Sequence, residues 1–231
     1  MCGRFTLRTP PKDLVEVFQL LHALEMIPRY NIAPTQPVAV VRQGATCREM
    51  SLLRWGLIPS WAKDTKIGAS LINARADTIA TKPSFRTALK RRRCLIPADG
   101  FYEWKKGEGK TKQPFYICMR KGHPFAFAGL WEHWEGPDNS AIDSCTIVTT
   151  DANETLRPLH DRMPVILRED DYDRWLDPKI QDPTELCELL KPHAPEEMTA
   201  FPISALVNNA RNESEKCIEP LPDADQVPRV H

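Results

Sequence analysis

The apolar residues of this 231-residue chain come in short β-rich runs, each cut off by proline, glycine or charge before a long helix can form. Residues 38–42 and 49–54 read as strands joined by a turn near Gly44, and residues 94–104 as a strand interrupted at Pro97 and Gly100. Residues 115–119 and 125–131, joined through Lys121-Gly122, have the character of a hairpin. Further runs at 145–149 and 164–167 flank the polar stretch 151–162. Helical spacing is rarer. Leu14, Val17, Phe18, Leu21 and Leu24 show it after Thr9-Pro10-Pro11, where Thr9 is the expected cap and proline fills the first turn. Shorter helices are expected over 83–92, 170–176 and 184–190. Many short strands with few helices predict an α+β fold, a single domain with an antiparallel, barrel-like β core and short flanking helices. That domain is expected to span residues 1–215, with 216–231 a loosely held tail.

Composition narrows the function classes. Hydrophobic content of 42% with 27% charged residues suits a soluble globular protein. No apolar run reaches membrane-spanning length and no secretory signal opens the chain, so a cytoplasmic protein without membrane contact is expected. The seven cysteines are odd in number, scattered and free of CxxC pairs, which supports neither a disulfide framework nor a zinc site. No metal or other cofactor is expected. With 31 basic and 31 acidic residues the net charge is zero, against a large sequence-blind nucleic-acid binder. A local basic groove remains open, because Arg86, Lys90, Arg91, Arg92 and Arg93 cluster, as do Lys105, Lys106, Lys110 and Lys112. Either cluster also reads as a solvated face.

The run Met1-Cys2-Gly3-Arg4-Phe5 carries the sharpest chemical signal. Methionine removal works when the next side chain is small, and would leave Cys2 with a free α-amine beside its thiol. A 1,2-aminothiol condenses with an aldehyde to an imine, and the thiol then closes on the imine carbon to give a thiazolidine. Both groups titrate near neutrality, at roughly 8 and 8.5, so modest tuning is expected to supply the neutral amine and the thiolate together.

Three later segments also carry polar chemistry in apolar or proline-bounded settings: Asn73-Ala74-Arg75, residues 99–104 around Glu103, and residues 159–164 around His160. Each is weak alone: Asn73 suits a turn, Glu103 an exposed strand, His160 a loop. Together with MCGRF, YNIAPTQ at 30–36, RWGLIPSW at 54–61, INARAD at 72–77, CLIPADGFYEW at 94–104 and LHDRMPVIL at 159–167, they make a pattern. It resembles the SRAP family, the SOS-response-associated peptidases of the YedK and HMCES type, from Met1 to about residue 210. The resemblance implies a mixed α/β fold with a basic channel, and covalent capture of abasic sites in single-stranded DNA by a protein expected to be a monomer. It makes Cys2 the nucleophile, supported by Asn73, Glu103 and His160. It places Arg4, Arg75 and Arg162 along DNA phosphates, with Trp61 and Pro34 near the bases that flank the lesion. Eukaryotic members can carry a C-terminal extension that binds a replication clamp; without one here, a minimal bacterial form is expected.

The chemistry asks for these residue types. His160 titrates near neutrality and suits opening of the closed sugar. Glu103 can take the amine proton and return it to the departing hydroxyl, and the Asn73 amide can hold the amine, the Cys2 peptide or a sugar oxygen in place. Failure of thiol closure would permit β-elimination, a lyase side activity. Rival readings are an N-terminal-nucleophile amidase, a thiol (auto)peptidase built on Cys2 and His160, and a DNA-binding module without catalysis. The amidase is disfavoured because the chain has no Asn-Gly pair for an oxyanion hole.

Overall fold

The computed structural model describes residues 2–107 and 112–222. The chain opens with β1 (Phe5–Leu7), and Leu14 and Phe18 anchor the following helix α1 (Pro11–Phe18) in the core. α1 is shorter than its apolar spacing suggested. Gln19 turns left-handed (φ 53°), and its amide closes back on the last turn. Leu21 is left exposed. Thr9 does not cap the helix, because its amide and hydroxyl are both taken by Asp99. Pro10 stands at the cap instead.

β2 (Arg29–Ile32) is followed by the expected hairpin of β3 (Pro37–Gln43) and β4 (Arg48–Trp55), in register from Pro37↔Arg54 to Gln43↔Arg48. Short β5 (Asn73–Arg75) and helix α2 (Arg86–Arg91) then lead into β6 (Arg93–Ala98) and β7 (Gly100–Lys106). The sequence read these last two as one interrupted strand. Pro97 in fact sits inside β6, opposite Ala126, and the chain changes sheets at Asp99. Gly100 is required just after that step, since a Cβ there would lie 2.3 Å from the Tyr116 ring.

β8 (Lys112–Met119) and β9 (Phe125–Glu135) are neighbours in sequence but not a hairpin. β8 is saturated by β7 on one side and by β13 (Met198–Pro202) on the other, whereas β9 lies in the opposite sheet. The turn at Gly122 (φ 70°) carries the chain across. β10 (Ala141–Asp151), β11 (Arg162–Pro164) and β12 (Ile166–Leu167) complete the strands, and α3 (Tyr172–Leu176) and α4 (Pro183–Cys187) pack outside.

The pairings close a barrel: β3 joins β4 and β6, β6 joins β9, β9 joins β10, and β10 returns to β4. Closure removes the free edges of these five strands. Every contact is antiparallel except β10 with β4. A second sheet, ordered β13-β8-β7-β1-β2, packs on it. Phe5 of this sheet meets Trp55 at 5.2 Å and Phe127 at 5.8 Å, edge to face, so β1 is pinned to the barrel wall. Full burial of such a ring contributes about 1.5–3 kcal/mol. Cys217 is buried, and Pro220 bridges to Ile203, which anchors the chain beyond residue 215; the expected loose tail from 223 onward lies outside the described residues. No helix among the described residues is long and apolar enough to cross a membrane.

Candidate functional site

The pinned β1 strand delivers Cys2 to the seam between the two sheets. Cys2 is fully buried, and its carbonyl accepts a 2.9 Å hydrogen bond from Asn73 Nδ2. Asn73 comes from the other sheet, where β5 runs parallel to β10 with Asn73 opposite Ile147 and Arg75 opposite Thr149. Among the described residues Asn73 Oδ1 has no hydrogen-bond partner although it is buried. β7 lies beside β1: the Tyr102 amide donates to the Arg4 carbonyl at 3.0 Å. Alternation along β7 sends Tyr102, bonded to the Tyr30 carbonyl, to one face and Glu103 to the other. Glu103 is 3% exposed.

The thiol of Cys2 is not poised as a thiolate. Burial pushes its pKa well up, and the charge of nearby Glu103 pushes it further. Its Sγ faces the Arg4 carbonyl at 3.8 Å. The simultaneous neutral amine and thiolate expected from the unperturbed values is therefore corrected: an apolar seam disfavours the anion.

His160 closes the polar stretch after β10. Asn153 shapes that loop by accepting the Leu156 amide at 3.0 Å and donating to the His193 carbonyl at 2.8 Å. The His160 Nδ1 atom lies 3.0 Å from the Arg162 amide and 2.6 Å from Asp161 Oδ1. An imidazole nitrogen has one in-plane bonding site. The neutral ring accepts from Arg162, and the imidazolium donates to Asp161, so each protonation state has its own partner. His160 and Glu103 together line an open cleft of about 610 Å³. Lys105, Lys106, Lys112 and Arg157 line the same cleft. The cluster at 105–112 thus faces the candidate site, with Lys110 outside the described residues.

The residues assigned to DNA contacts divide. Trp61 is 58% exposed on a loop held from behind, where Trp134 Nε1 donates to the Ala62 carbonyl at 2.8 Å. Pro34 is half-buried beside Thr35, whose left-handed backbone (φ 71°) lets its amide reach the Trp55 carbonyl at 2.8 Å. Arg75 is exposed and forked onto Asp77. Arg162 is only 6% exposed: its Nη2 donates to the Thr149 carbonyl at 2.7 Å and hydroxyl at 3.1 Å, its Nη1 lies 3.8 Å from Asp151, and its Nε has no hydrogen-bond partner among the described residues. That is the placement of a side chain that ties β11 to β10. Arg4 is half-buried and donates to Asn31 Oδ1 at 2.8 Å and the Val207 carbonyl at 2.9 Å.

Sequence reasoning missed several supports. Asn31, fully buried, fixes Arg4 and donates to the carbonyls of Val207, Asn209 and Asn212. Asp99 gathers the amides of Arg8 and Thr9, and Arg157 adds charge to the cleft. Asn31 lies within YNIAPTQ, but nothing local says that its amide points inward. No group of His, Cys, Asp or Glu among the described residues has a metal-binding arrangement.

Comparison with known proteins agrees with this architecture. A structure from Bacteroides thetaiotaomicron superposes with a TM-score of 0.83 at 27% identity, covering 95% of this chain and 100% of that one. The abasic site processing protein YoqW of Bacillus subtilis is 47% identical over 222 residues, 95% of this chain and 99% of that protein. The abasic site processing protein HMCES of Gallus gallus is 34% identical over 226 residues, 84% of this chain and 66% of its own length. The model of the SOS response associated peptidase (SRAP) family matches residues 1–210. The chain belongs to the SRAP family.

Proposed function

We propose that this protein processes abasic sites in single-stranded DNA by covalent capture through Cys2 once Met1 has been removed. The observation that carries the reading is the convergence on Cys2 of groups from both sheets. Asn73 bonds its carbonyl, Glu103 acts electrostatically on its thiol, and His160 shares the cleft with Glu103. The basic rim of the cleft suits phosphates, and the abasic site processing proteins among the relatives point to the same substrate. The exposed Trp61 offers a stacking surface to an unpaired base, a contact typical of single-strand binders.

Chemistry follows from the burial of the Cys2 thiol and the contacts of His160. Because burial holds the thiol protonated, the amine attacks first. His160, with a partner for each protonation state, moves the proton that opens the sugar to its aldehyde. The neutral amine of Cys2 adds to C1′, Glu103 takes and returns the proton, and water leaves to give the imine. The thiol then adds across the C=N bond: sulfur bonds to C1′ and its proton ends on nitrogen, which closes the thiazolidine. Asn73 Oδ1, without a hydrogen-bond partner among the described residues, lies on the side chain that bonds Cys2 and suits the role of holding the amine. If the thiol fails to close, elimination from the imine gives a lyase side reaction. A cysteine-peptidase reading is less favoured, since the thiol faces the Arg4 carbonyl rather than His160.

Intact mass spectrometry after mixing with an abasic-site oligonucleotide tests the reading. The expected product is protein lacking Met1 plus the oligonucleotide minus one water, stable to heat. Its absence, or the same adduct from Cys2→Ala, would overturn covalent capture at Cys2.

A further inference from the structure

Arg75 is not free to meet a phosphate. Its Nε lies 3.1 Å from Asp77 Oδ1 and its Nη2 2.6 Å from Asp77 Oδ2, a bidentate fork of the geometry that guanidinium also makes with phosphate. Both side chains are about half exposed, so the pair stands at the solvent edge of the site. The fork is local. Asp77 follows Arg75 in the turn closed by the Thr78 amide on the Arg75 carbonyl at 3.1 Å, and its only other side-chain contact among the described residues is a 3.5 Å approach from the Thr78 hydroxyl. Asp151 and Asp161 add negative potential at the same guanidinium, and both are exposed. The hydrogen bond from Arg75 holds the Asp77 carboxyl below the usual carboxylate range, so the competitor is fully charged at neutral pH.

We propose that Asp77 is a resident phosphate mimic that occupies Arg75 in the unliganded protein and must be displaced when a DNA strand binds. The inference rests on the proposed capture of abasic DNA. Its consequence is selectivity. Any strand, damaged or intact, must exchange one carboxylate for one phosphate on Arg75, which lowers the net gain from non-covalent binding. An abasic strand meets the same exchange on entry, but the bond to Cys2 then holds it irrespective of affinity. Asp77 therefore shortens the residence of intact DNA and leaves capture nearly untouched.

The test is a double-mutant cycle on the full chain, read by binding of an intact single-stranded oligonucleotide over a salt series. Asp77→Asn keeps the shape and removes the charge. It is expected to tighten binding roughly two- to fivefold at low salt, within the range of an exposed ion pair. It should also leave the rate of adduct formation at saturating abasic DNA unchanged. In the Arg75→Ala background the same substitution should have little effect. Weaker or unchanged binding by Asp77→Asn would show that Asp77 orients Arg75 for phosphate or is idle, and would overturn the proposal. So would an equal gain in both backgrounds, which reports general charge removal. Failure of the parent protein to form any adduct would instead strike the capture reading, a separately visible outcome.

Discussion

Asn73 reaches across the seam between the two sheets to donate to the Cys2 carbonyl at 2.9 Å, and this bond joins β5 to the segment that leads into β1. The position of Cys2 is thus set by two independent anchors: the edge-to-face packing of Phe5 on Trp55 and Phe127 behind it, and one side-chain amide in front.

Asn73→Ala is expected to slow adduct formation by about ten- to a hundredfold, the scale of losing orientation at a reacting group. Affinity for single-stranded DNA should stay within about twofold, because Asn73 has no charge to offer a phosphate. Single-turnover rates at saturating DNA check the first statement and equilibrium binding the second. Loss of binding with a normal single-turnover rate would place Asn73 on the strand rather than on Cys2.

Glu103→Gln and His160→Gln should each cut the single-turnover rate by about a hundredfold or more, as expected for removal of a positioned acid or base. They differ in what they spare. A pre-opened aldehyde substrate bypasses ring opening, so it should rescue His160→Gln more than Glu103→Gln. Equal rescue of both variants would mean that the two roles are wrongly divided.

The reach of the sequence is visible in particular residues. The hairpin at 38–54 was legible because one strand follows the other through a turn and the two pair along their whole length, from Pro37↔Arg54 to Gln43↔Arg48. The supposed hairpin at 115–131 was not, because β8 pairs back with β7 and with distant β13, and β9 pairs forward with β10 and back with β6, so local pattern does not say which neighbour a strand joins. At the candidate site, Asn73 bonds the Cys2 carbonyl and His160 lines one cleft with Glu103, a grouping that only the combination of motifs suggested. What motif reading could not see was direction. Arg162 has the composition of a phosphate contact, yet its guanidinium turns inward to Thr149, since β11 pairs with β10 and buries that face.

That inward turn separates two arginines the sequence treated alike. Arg162→Ala strips the buried Thr149 carbonyl of a charged donor, so it should cost about 1–3 kcal/mol of stability. For a chain of this length that is a fall in Tm of roughly 2–12 °C. Arg75→Ala, at an exposed residue paired among the described residues with Asp77 alone, should stay within about 0.5 kcal/mol of the parent while flattening the salt dependence of DNA binding. Thermal melts of the two variants side by side decide this. An unchanged Tm for Arg162→Ala would mean that its buried bonds add nothing and would return it to the phosphate path.

The buried thiols and phenols set an alkaline limit on the fold. Burial raises the pKa of Cys2, Cys94 and Cys145, pushes Cys118 up from 9.0 to about 11, and raises Tyr102, Tyr116 and Tyr172. The sign is fixed by linkage. In each case the unfolded chain gives up its proton at a lower pH than the folded one, so unfolding releases protons and becomes more favourable as pH rises. Stability from this source is fully present below the unfolded thiol pKa, near 9.0, and is lost progressively as pH climbs toward the folded values. Cys118 alone accounts for up to about 3 kcal/mol between its two values. Tm should therefore hold steady from pH 7 to about 8.5 with respect to these groups and drop steeply between roughly 9 and 11. Replacing Cys118, half-buried on β8, by alanine should lessen the drop by removing one titrating group at the cost of a few contacts. Melts that stay flat through pH 11 would show that these groups ionise as easily inside the fold as outside it, which the apolar seam around Cys2 does not allow.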